Sequence, residues 1–541
     1  MRLPTRSRYL TPAPGARRAS GALRTVPLLA VAALTLAACS SGGGVEGEGL
    51  EEAPDAGASA EPGDAEASAG GTLVAAITGT PDQFDPHSTS AYASFQVLEN
   101  VYDTLVVPNA EDLTFEPSLA ESWETSEDGL TWTFTLREGV TFHDGSELDS
   151  ADVAYSFNRI IDEQLANAFR FANVESIETP DPQTVVMNLT APTPNLLANI
   201  GGFKGMAILP EGAAEDLDLA NEANGTGPFT LESTSAGGAE LAAFDGYWGD
   251  GPFVEGVEFQ YVPESAAALT ALRNGDIDWT DNVPPQDLAG LVDEEGVELG
   301  QVGSTDYYYL AFDLTEPPFD DVDVRRAIAT AVDREAIAEA ATFGAGSANQ
   351  TAIPESSFFA TDYAPFSGDP AEAEQLLADA GAEGLEFSLM VPATAPQAVT
   401  AAEVLASQLA EIGVTMTPDT VEEGAFLTRQ GEGDFDAFSW SWIGNLDPFG
   451  YYHAQHITDG GFNFQGYSNP EVDELLTQGS TETDQDARKE LYDQAVEIIV
   501  DEVSYLYYYN PDVLQAWSSD LTGYTVRPDR AINFETVELG G

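Results

Sequence analysis

Aromatic side chains that alternate along two segments of the chain are its best candidates for noncovalent chemistry. In residues 436–442, strand alternation places Phe438, Trp440 and Trp442 on one face. Phe438 fits a buried core. Trp442 is followed directly by a polar loop, so either the core or the wall of a recognition cleft would suit it. An indole offers a large apolar surface and one hydrogen-bond donor, which are the properties of such a wall.

The second aromatic segment covers residues 306–312. Its core-facing positions are Tyr308, Leu310 and Phe312. Tyr307 and Tyr309 then lie on the opposite face, where a phenol supplies apolar area and a hydrogen-bonding tip. We predict that these two tyrosines face a cleft. Three further alternating tyrosines near the C-terminus are assigned to the core: Tyr505, Tyr507 and Tyr509.

Covalent catalysis and metal chemistry have little support in the sequence. It contains no Gly-x-Ser-x-Gly elbow and no phosphate-binding loop, so we predict no enzyme activity, no catalytic residue and no cofactor. His453 and His456, three residues apart, could share a helical face, but two histidines are a weak metal signal. We predict no metal ligands, and a carrier of a metal complex or haem stays open as an alternative.

The elements that must position these residues mix strands and helices. Residues 72–77 form an apolar strand, and Thr78 directly after it is a candidate ligand contact. A helix is expected over 92–102. From 130 to 136, apolar residues alternate with threonines, which predicts a strand with one buried face. Ser150 is a plausible N-cap of the helix that follows.

Two further helix starts are marked by proline. Asp369-Pro370 places a capping residue before the first helical position, and Gly381 is positioned to end that helix. Asn469-Pro470 begins another helix, which should end near Gly479. Strand–strand and strand–helix successions both occur, so the fold class is α/β.

The N-terminus reads as an export signal that ends at the single cysteine, Cys39. Residues 1–38 carry six arginines, no acidic residue and then an apolar stretch too short to span a bilayer comfortably. The run Leu36-Ala37-Ala38-Cys39 resembles the lipobox of bacterial lipoproteins, in which the cysteine becomes the lipid-modified first residue. We predict a signal peptide over 1–38 and anchoring through Cys39 to the outer face of the cell membrane.

Composition separates a linker from a strongly acidic globular part. Residues 40–70 consist almost wholly of small, acidic and proline residues, which predicts a disordered linker. Without residues 1–38 the chain has 13 basic and 92 acidic residues, a formal charge of −79. Nucleic acid is therefore excluded as a partner, because binding it requires clustered positive charge. The acids are spread along the chain, as in a surface adapted to salty surroundings.

Six blocks of the chain carry a family resemblance. They are, in order, 119–160 with Phe142-His143-Asp144-Gly145, Gly225-Thr226-Gly227-Pro228-Phe229, Leu272-Arg273-Asn274-Gly275-Asp276-Ile277-Asp278, Pro317-Pro318-Phe319 before Val324-Arg325-Arg326-Ala327, Trp442-Ile443-Gly444-Asn445-Leu446-Asp447-Pro448, and Tyr467-Ser468-Asn469-Pro470-Glu471-Val472-Asp473. Together they resemble the extracytoplasmic solute-binding proteins of peptide-type ABC importers, family 5. The resemblance covers essentially residues 71–534. The first block reads as structural, with His143 as a hydrogen-bonded turn residue.

The resemblance implies a two-lobed, periplasmic-binding-protein-like fold with an extra small domain and a ligand cleft between the lobes. Mapped onto this chain, lobe I comprises 71–103, 222–313 and 507–541. The extra domain is 104–221, and lobe II is 314–506.

The resemblance also implies a binding site, with two departures. Trp440, Trp442, Asn445 and Asp447 belong to a strand and loop that face the cleft in relatives. Dipeptide and oligopeptide binders have an aspartate for the ligand's amino group where this chain has the neutral Asn445. Dipeptide binders also have an arginine for the ligand's carboxylate in the segment matching 391–397, and this chain has none there.

The implied function is capture of a solute outside the cell and its delivery to a permease and ATPase in the membrane. A peptide or similar polar solute is the expected cargo, and a metal complex, haem or an oligosaccharide is the alternative. We expect the protein to be a monomer. A purely structural surface protein is the remaining class, and it would bind no small solute.

Overall fold

The computed structural model of the protein describes residues 70–110, 113–202, 204–442 and 446–540. The predicted signal peptide, Cys39 and nearly all of the predicted linker lie outside these residues, and so does Asn445. Within the described ranges, no helix combines the length and the apolar character needed to cross a bilayer.

The first part of the described chain contains the first strand of the large mixed sheet and all four strands of a smaller sheet. Its elements are β1 (Thr72–Ile77), α1 (Tyr92–Leu98), β2 (Val106–Pro108), β3 (Phe115–Pro117), β4 (Ala120–Thr125), β5 (Thr131–Leu136), α2 (Ser150–Asp162), β6 (Val174–Asp181), β7 (Thr184–Leu189), α3 (Leu196–Gly201) and α4 (Ala213–Asp216). Helix α2 is capped by Asp149 rather than by the predicted Ser150. The Asp149 carboxylate accepts a hydrogen bond from the Ala151 amide, and Asp152 completes a capping box.

The central part is mostly strand. It contains β8 (Phe229–Ser235), β9 (Gly238–Ala243), β10 (Gly256–Tyr261), α5 (Ser265–Asn274), β11 (Trp279–Thr280), α6 (Leu288–Leu291), β12 (Val297–Gly303) and β13 (Tyr307–Phe312).

The last part is rich in helices. It contains α7 (Val322–Ala331), α8 (Arg334–Thr342), β14 (Gly346–Ala348), α9 (Pro370–Asp379), β15 (Glu386–Pro392), α10 (Pro396–Glu411), β16 (Thr415–Val421), α11 (Glu423–Glu432), β17 (Ala437–Trp442), α12 (Pro448–His456), α13 (Pro470–Gly479), α14 (Gln485–Asp501), β18 (Leu506–Ser518), β19 (Leu521–Thr522) and β20 (Glu538–Leu539). The predicted caps of α9 and α13 are confirmed, because Asp369 and Asn469 each accept backbone amide hydrogen bonds there.

One long strand, β18, joins two halves of a mixed sheet. On one side the order is β16-β15-β17-β13-β18, and on the other it is β18-β11-β1-β10-β9-β8. We call the half that contains β1 lobe I and the half that contains β17 lobe II. Strand β13 pairs with β17, which puts residues 307–312 in lobe II rather than in lobe I as predicted. The other domain limits stay predictions.

A third subdomain has its own antiparallel sheet, in the order β4-β5-β7-β6. The predicted alternation is confirmed in β5, where Trp132, Phe134 and Leu136 are buried and the threonines between them are partly exposed. Helix α2 packs Val153, Phe157 and Ile160 into the same core. This subdomain is therefore a separate packed body beside the two lobes.

The two crossings between the lobes are short, buried and polar. Residues 304–306 link β12 to β13, and β18 crosses at Asn510 and Pro511, where its pairing changes from β13 to β12. The Ser304 amide and hydroxyl both donate to the Pro511 carbonyl, at 3.0 and 2.6 Å. Asn510 Nδ2 donates to the Asp306 carbonyl at 2.8 Å. These hydrogen bonds hold the two crossings side by side.

Candidate functional site

A cavity of about 530 Å³ lies between lobe II and the third subdomain. Lobe II contributes β17, the loop after it and α12, and the third subdomain contributes the 3-10 turn Ala168–Phe171 and helix α3. The aromatic and aliphatic residues that line it are Phe169, Ala198, Trp440, Trp442, Leu446, Phe449, Ala454 and Phe462. Its volume and its mainly apolar lining are those of a site for a small molecule.

Trp440 and Trp442 are partly exposed and line this cavity, and their contact with a ligand stays a prediction. The Trp440 ring stacks on Phe426 of α11 with a centroid separation of 4.9 Å. Phe462 packs edge-on against Trp442 at 4.8 Å. Each indole is therefore supported from one side, which fixes its orientation, while part of its surface stays accessible. Phe438, further along the same face, is fully buried as predicted.

The expected exposure of Tyr307 and Tyr309 is wrong. Their exposed fractions are only 1% and 2%. Tyr307 stacks on Tyr451 of α12, and Tyr309 stacks on Tyr505 at a centroid distance of 4.1 Å. Alternation placed both side chains on one face correctly, but α12 and the segment that enters β18 cover that face. Both tyrosines therefore belong to the core of lobe II and do not line the cavity.

Asp447 lines the cavity, but its charge is compensated inside the protein. Its two carboxylate oxygens accept hydrogen bonds from Arg488 Nη1 and Nη2, both at 2.7 Å. It also caps α12 by accepting from the Phe449 amide at 2.9 Å. Asp447 thus fixes the start of the helix that forms one cavity wall.

A buried amide gives the cavity a polar point. Gln455 of α12 lines it, and its Nε2 donates to the Gly450 carbonyl at 3.0 Å. Among the described residues, Gln455 Oε1 is buried without a hydrogen-bond partner. Buried acceptors are nearly always satisfied in folded proteins, so this oxygen is a natural acceptor for a bound donor. No motif or spacing in the sequence points to Gln455.

The edge of lobe I brings Thr78 together with an aspartate that sequence reasoning missed. The Thr78 amide and hydroxyl donate to Asp281 Oδ1 at 3.0 and 3.2 Å. Gln96 of α1 donates to Asp281 Oδ2 at 2.6 Å. Burial raises the pKa of Asp281, despite the opposing effect of these hydrogen bonds. Its position directly after the short buried strand β11 was the available signal.

A series of contacts leads from this edge toward the tryptophan wall. Tyr92 Oη donates to the Arg530 carbonyl at 2.8 Å, and the Arg530 guanidinium pairs with Asp306 at the lobe crossing. Beyond the crossing, Tyr308 lies opposite Ser441 in the register of β13 and β17, and Ser441 lines the cavity.

The histidine pair does not form a metal site. His456 is fully buried, with ring nitrogens 2.9 Å from Ser504 Oγ and 3.0 Å from Tyr507 Oη. His453 stacks on Phe449 instead. Across the described ranges, no group of three or more His, Cys, Asp or Glu side chains is arranged to hold a metal ion. His143 is the predicted turn residue, since its Nε2 lies 3.0 Å from the Gly227 carbonyl.

Comparison with known proteins agrees with this architecture. Residues 114–463 match the family described as bacterial extracellular solute-binding proteins, family 5, middle region. The dipeptide-binding protein of Escherichia coli is 28% identical over 507 residues, which cover 86% of this chain and 94% of that protein. Heme-binding protein A of Haemophilus influenzae is 30% identical over 520 residues, with coverages of 88% and 92%.

Solved structures show the same fold. HbpA2 from Haemophilus parasuis superposes with a TM-score of 0.80 at 26% identity, covering 87% of this chain and all of that one. DppA from Helicobacter pylori, in complex with the peptide STSA, gives a TM-score of 0.72 at 25% identity, with coverages of 87% and 98%.

Proposed function

The chain belongs to family 5 of the bacterial extracellular solute-binding proteins, and from this premise we propose that it captures a short peptide for an ABC importer. One observation carries the choice of site: two supported, partly exposed indoles wall a 530 Å³ cavity between two packed bodies. Burying apolar side chains of the guest against these rings supplies the main favourable free energy.

The polar groups of the cavity suit a peptide backbone. Gln455 Oε1 offers an acceptor for a guest N–H, and Asn195 and Asn199 of the third subdomain offer amides on the opposite side. A guest that combines apolar side chains with amide groups would use both kinds of lining. The dipeptide-binding relative from Escherichia coli supports the same class of cargo.

Two other cargoes are separate outcomes of the test. An oligosaccharide could stack its rings on Trp440 and Trp442. Haem has less support, because none of the described residues that line the cavity is a histidine, cysteine or methionine that could ligate iron. The haem-binding relative from Haemophilus influenzae nevertheless makes haem a necessary control.

Transport would follow from movement of the lobes about the two short crossings. A guest that contacts both sides of the cleft binds the closed form more tightly and shifts the equilibrium toward it. The closed form then docks, as a monomer, on a membrane permease driven by an ATPase. A lipid on Cys39 and the following acidic linker, about 30 residues with a reach of roughly 30 Å, would keep the protein near that partner.

Thermal-shift screening and native mass spectrometry test the cargo directly. We expect di- to tetrapeptides to raise the melting temperature in a concentration-dependent way, because a ligand that binds only the folded state stabilises it. Maltooligosaccharides and haem are run in parallel. A shift with either of these and none with any peptide would replace the peptide assignment, and no shift with any solute would remove the carrier function.

The anchor is tested separately. We expect the mature protein to begin at an acylated Cys39 and to fractionate with membranes, whereas Cys39→Ala leaves it unacylated. Intact mass measurement of the N-terminal peptide from both proteins decides the question.

A further inference from the structure

Asp281 and Thr78 meet at one edge of the lobe I sheet. Strands β1 and β11 are parallel neighbours, with Ala75 beside Trp279 and Ala76 beside Thr280. Thr78 and Asp281 each follow directly after the C-terminal end of their strand. In open α/β sheets, ligands bind in the crevice outside the carboxyl ends of parallel strands. The fold thus places this carboxylate where a guest of lobe I would be held.

The Asp281 carboxylate is oriented by its neighbours but is not neutralised. It accepts three hydrogen bonds, two from Thr78 and one from Gln96. A carboxylate offers about four acceptor positions, so one remains for a guest. In the part of the chain that the structure describes, no ion pair includes Asp281. This differs from Asp447, whose charge is compensated by Arg488.

The surroundings of Asp281 favour a cationic guest. Gln96 is almost completely buried, so the donor that orients Oδ2 is held in place by the core. Tyr92 is 38% exposed, and its hydroxyl is fixed by a hydrogen bond to the Arg530 carbonyl. Burial raises the pKa of Tyr92, and the negative charge of Asp281 contributes to that rise. Burial raises the pKa of Asp281, a cost that a bound cation would offset.

We propose that Asp281 binds the positively charged amino group of the solute, with Thr78 and Gln96 positioning the carboxylate. This inference rests on the proposed capture of a peptide and extends it: lobe I, rather than position 445 in lobe II, supplies the negative charge. The substrate class is then a peptide with a free N-terminal amine. Lobe II supplies the apolar wall for its side chains.

The test compares trialanine with N-acetyl-trialanine by isothermal titration calorimetry. The unaltered protein should bind the free amine about 10- to 100-fold more tightly, the size of one charge-assisted hydrogen bond. Asp281→Asn should bring trialanine down to the affinity of the acetylated peptide. Equal affinities in the unaltered protein, or a preference that survives Asp281→Asn, would overturn the proposal. The comparison in the unaltered protein needs no variant to fold.

Asp278→Asn is the matched control. Asp278 lies just before β11, accepts a hydrogen bond from the Val74 amide at 2.8 Å, and is half-buried with a pKa raised by burial. It is thus an aspartate of similar environment on the same strand pair, at the opposite end from the proposed site. The preference for the free amine should persist in this variant. Thr78→Val, which removes one donor to Asp281, should weaken trialanine binding a few-fold.

Failure of the peptide assignment is distinguishable from failure of the proposed role of Asp281. If neither peptide binds the unaltered protein, the peptide function falls, and the diamine putrescine is titrated instead. If putrescine binds and Asp281→Asn abolishes that binding, Asp281 is supported as the binding group for another class of cationic solute. Absence of putrescine binding would overturn the proposed role of Asp281 as well.

Discussion

Strands β13 and β17 carry aromatic side chains on the same face of one sheet, yet one pair is sealed and the other is accessible. Tyr307 and Tyr309 lie directly opposite Trp442 and Trp440 in the antiparallel register. The tyrosines are covered by α12 and by the segment that enters β18. The tryptophans extend along β17 past its pairing with β15, which is limited to Ala437 and Phe438. Alternation sets the face of a side chain, and the neighbouring elements set its exposure.

The tyrosine side of this comparison carries the largest expected effect on stability. Tyr309→Ala should lower the free energy of unfolding by about 3–5 kcal/mol, because it removes a fully buried aromatic ring and leaves a cavity. Trp442→Ala should cost only about 1–2 kcal/mol, because the indole is partly exposed. Urea denaturation of both variants measures the difference. Equal losses would mean that the two strands are buried alike.

Substitution of Asp447 should cause nearly as large a loss of stability as Tyr309→Ala. Asp447 fixes the start of α12, and this helix covers Tyr307. Asp447→Asn removes one partner of a buried ion pair and should cost about 3–5 kcal/mol. Glu294→Gln breaks the exposed pair with Arg273 and should cost at most about 1 kcal/mol. Denaturation midpoints of both variants test this. A negligible loss in Asp447→Asn would show that the pair does not fix α12.

The tryptophan side should appear in binding rather than in folding. The test uses a peptide that stabilises the unaltered protein. Trp442→Ala should weaken the affinity for this peptide about tenfold or more, because the guest loses its apolar wall. Trp132→Ala alters a tryptophan in the third-subdomain core and should affect stability without a comparable loss of affinity. Calorimetric titration of both variants at a temperature where each is folded gives the comparison.

The smallest expected effect is a pH dependence of the unfolding free energy. It arises from His456 of α12, the helix that covers Tyr307. Burial lowers the pKa of His456 from 6.5 to about 3, and its ring contacts Tyr505 and Tyr507. Between these values the unfolded chain binds a proton that the folded protein does not, so stability falls as pH falls below 6.5. From pH 7.5 to 5.5 the loss attributable to His456 should be about 1.4 kcal/mol.

His456→Gln should remove this part of the pH dependence. His453→Gln on the same helix should change it less, because His453 is only half-buried and stacks on Phe449. Unfolding free energies of the three proteins across this pH range test the assignment. An unchanged slope in His456→Gln would show that the acid sensitivity arises elsewhere.

The sequence predicted what depends on local spacing. The alternation in β5, the Asn469-Pro470 start of α13 and the buried Phe438 follow from periodicity and capping, and all three are confirmed. The mixture of strand and helix patterns predicted the α/β class, and the family blocks implied the two-lobed arrangement, because such blocks encode turns and core positions across the chain. The cap of α2 shifted by one residue, since Asp149 and Ser150 are both good capping residues.

The parts of the site that the sequence missed depend on distant contacts. Asp447 is compensated by Arg488, 41 residues further along the chain. Asp281 is bound by Thr78 and Gln96, about 200 residues before it. Tyr307 is sealed by Tyr451, which is 144 residues away. None of these partnerships has a signal in local spacing, because each arises from the packing of elements that are remote in sequence.

The central claim is that a diffusible guest is held against Trp440 and Trp442, and indole ¹H–¹⁵N resonances test it residue by residue. Assignment through Trp440→Phe and Trp442→Phe allows a peptide titration to be followed at both rings. We expect both resonances to shift with the same saturation curve, while Trp279, fully buried in lobe I, does not move with them. A peptide that binds saturably and leaves both indole resonances unshifted would contradict the account.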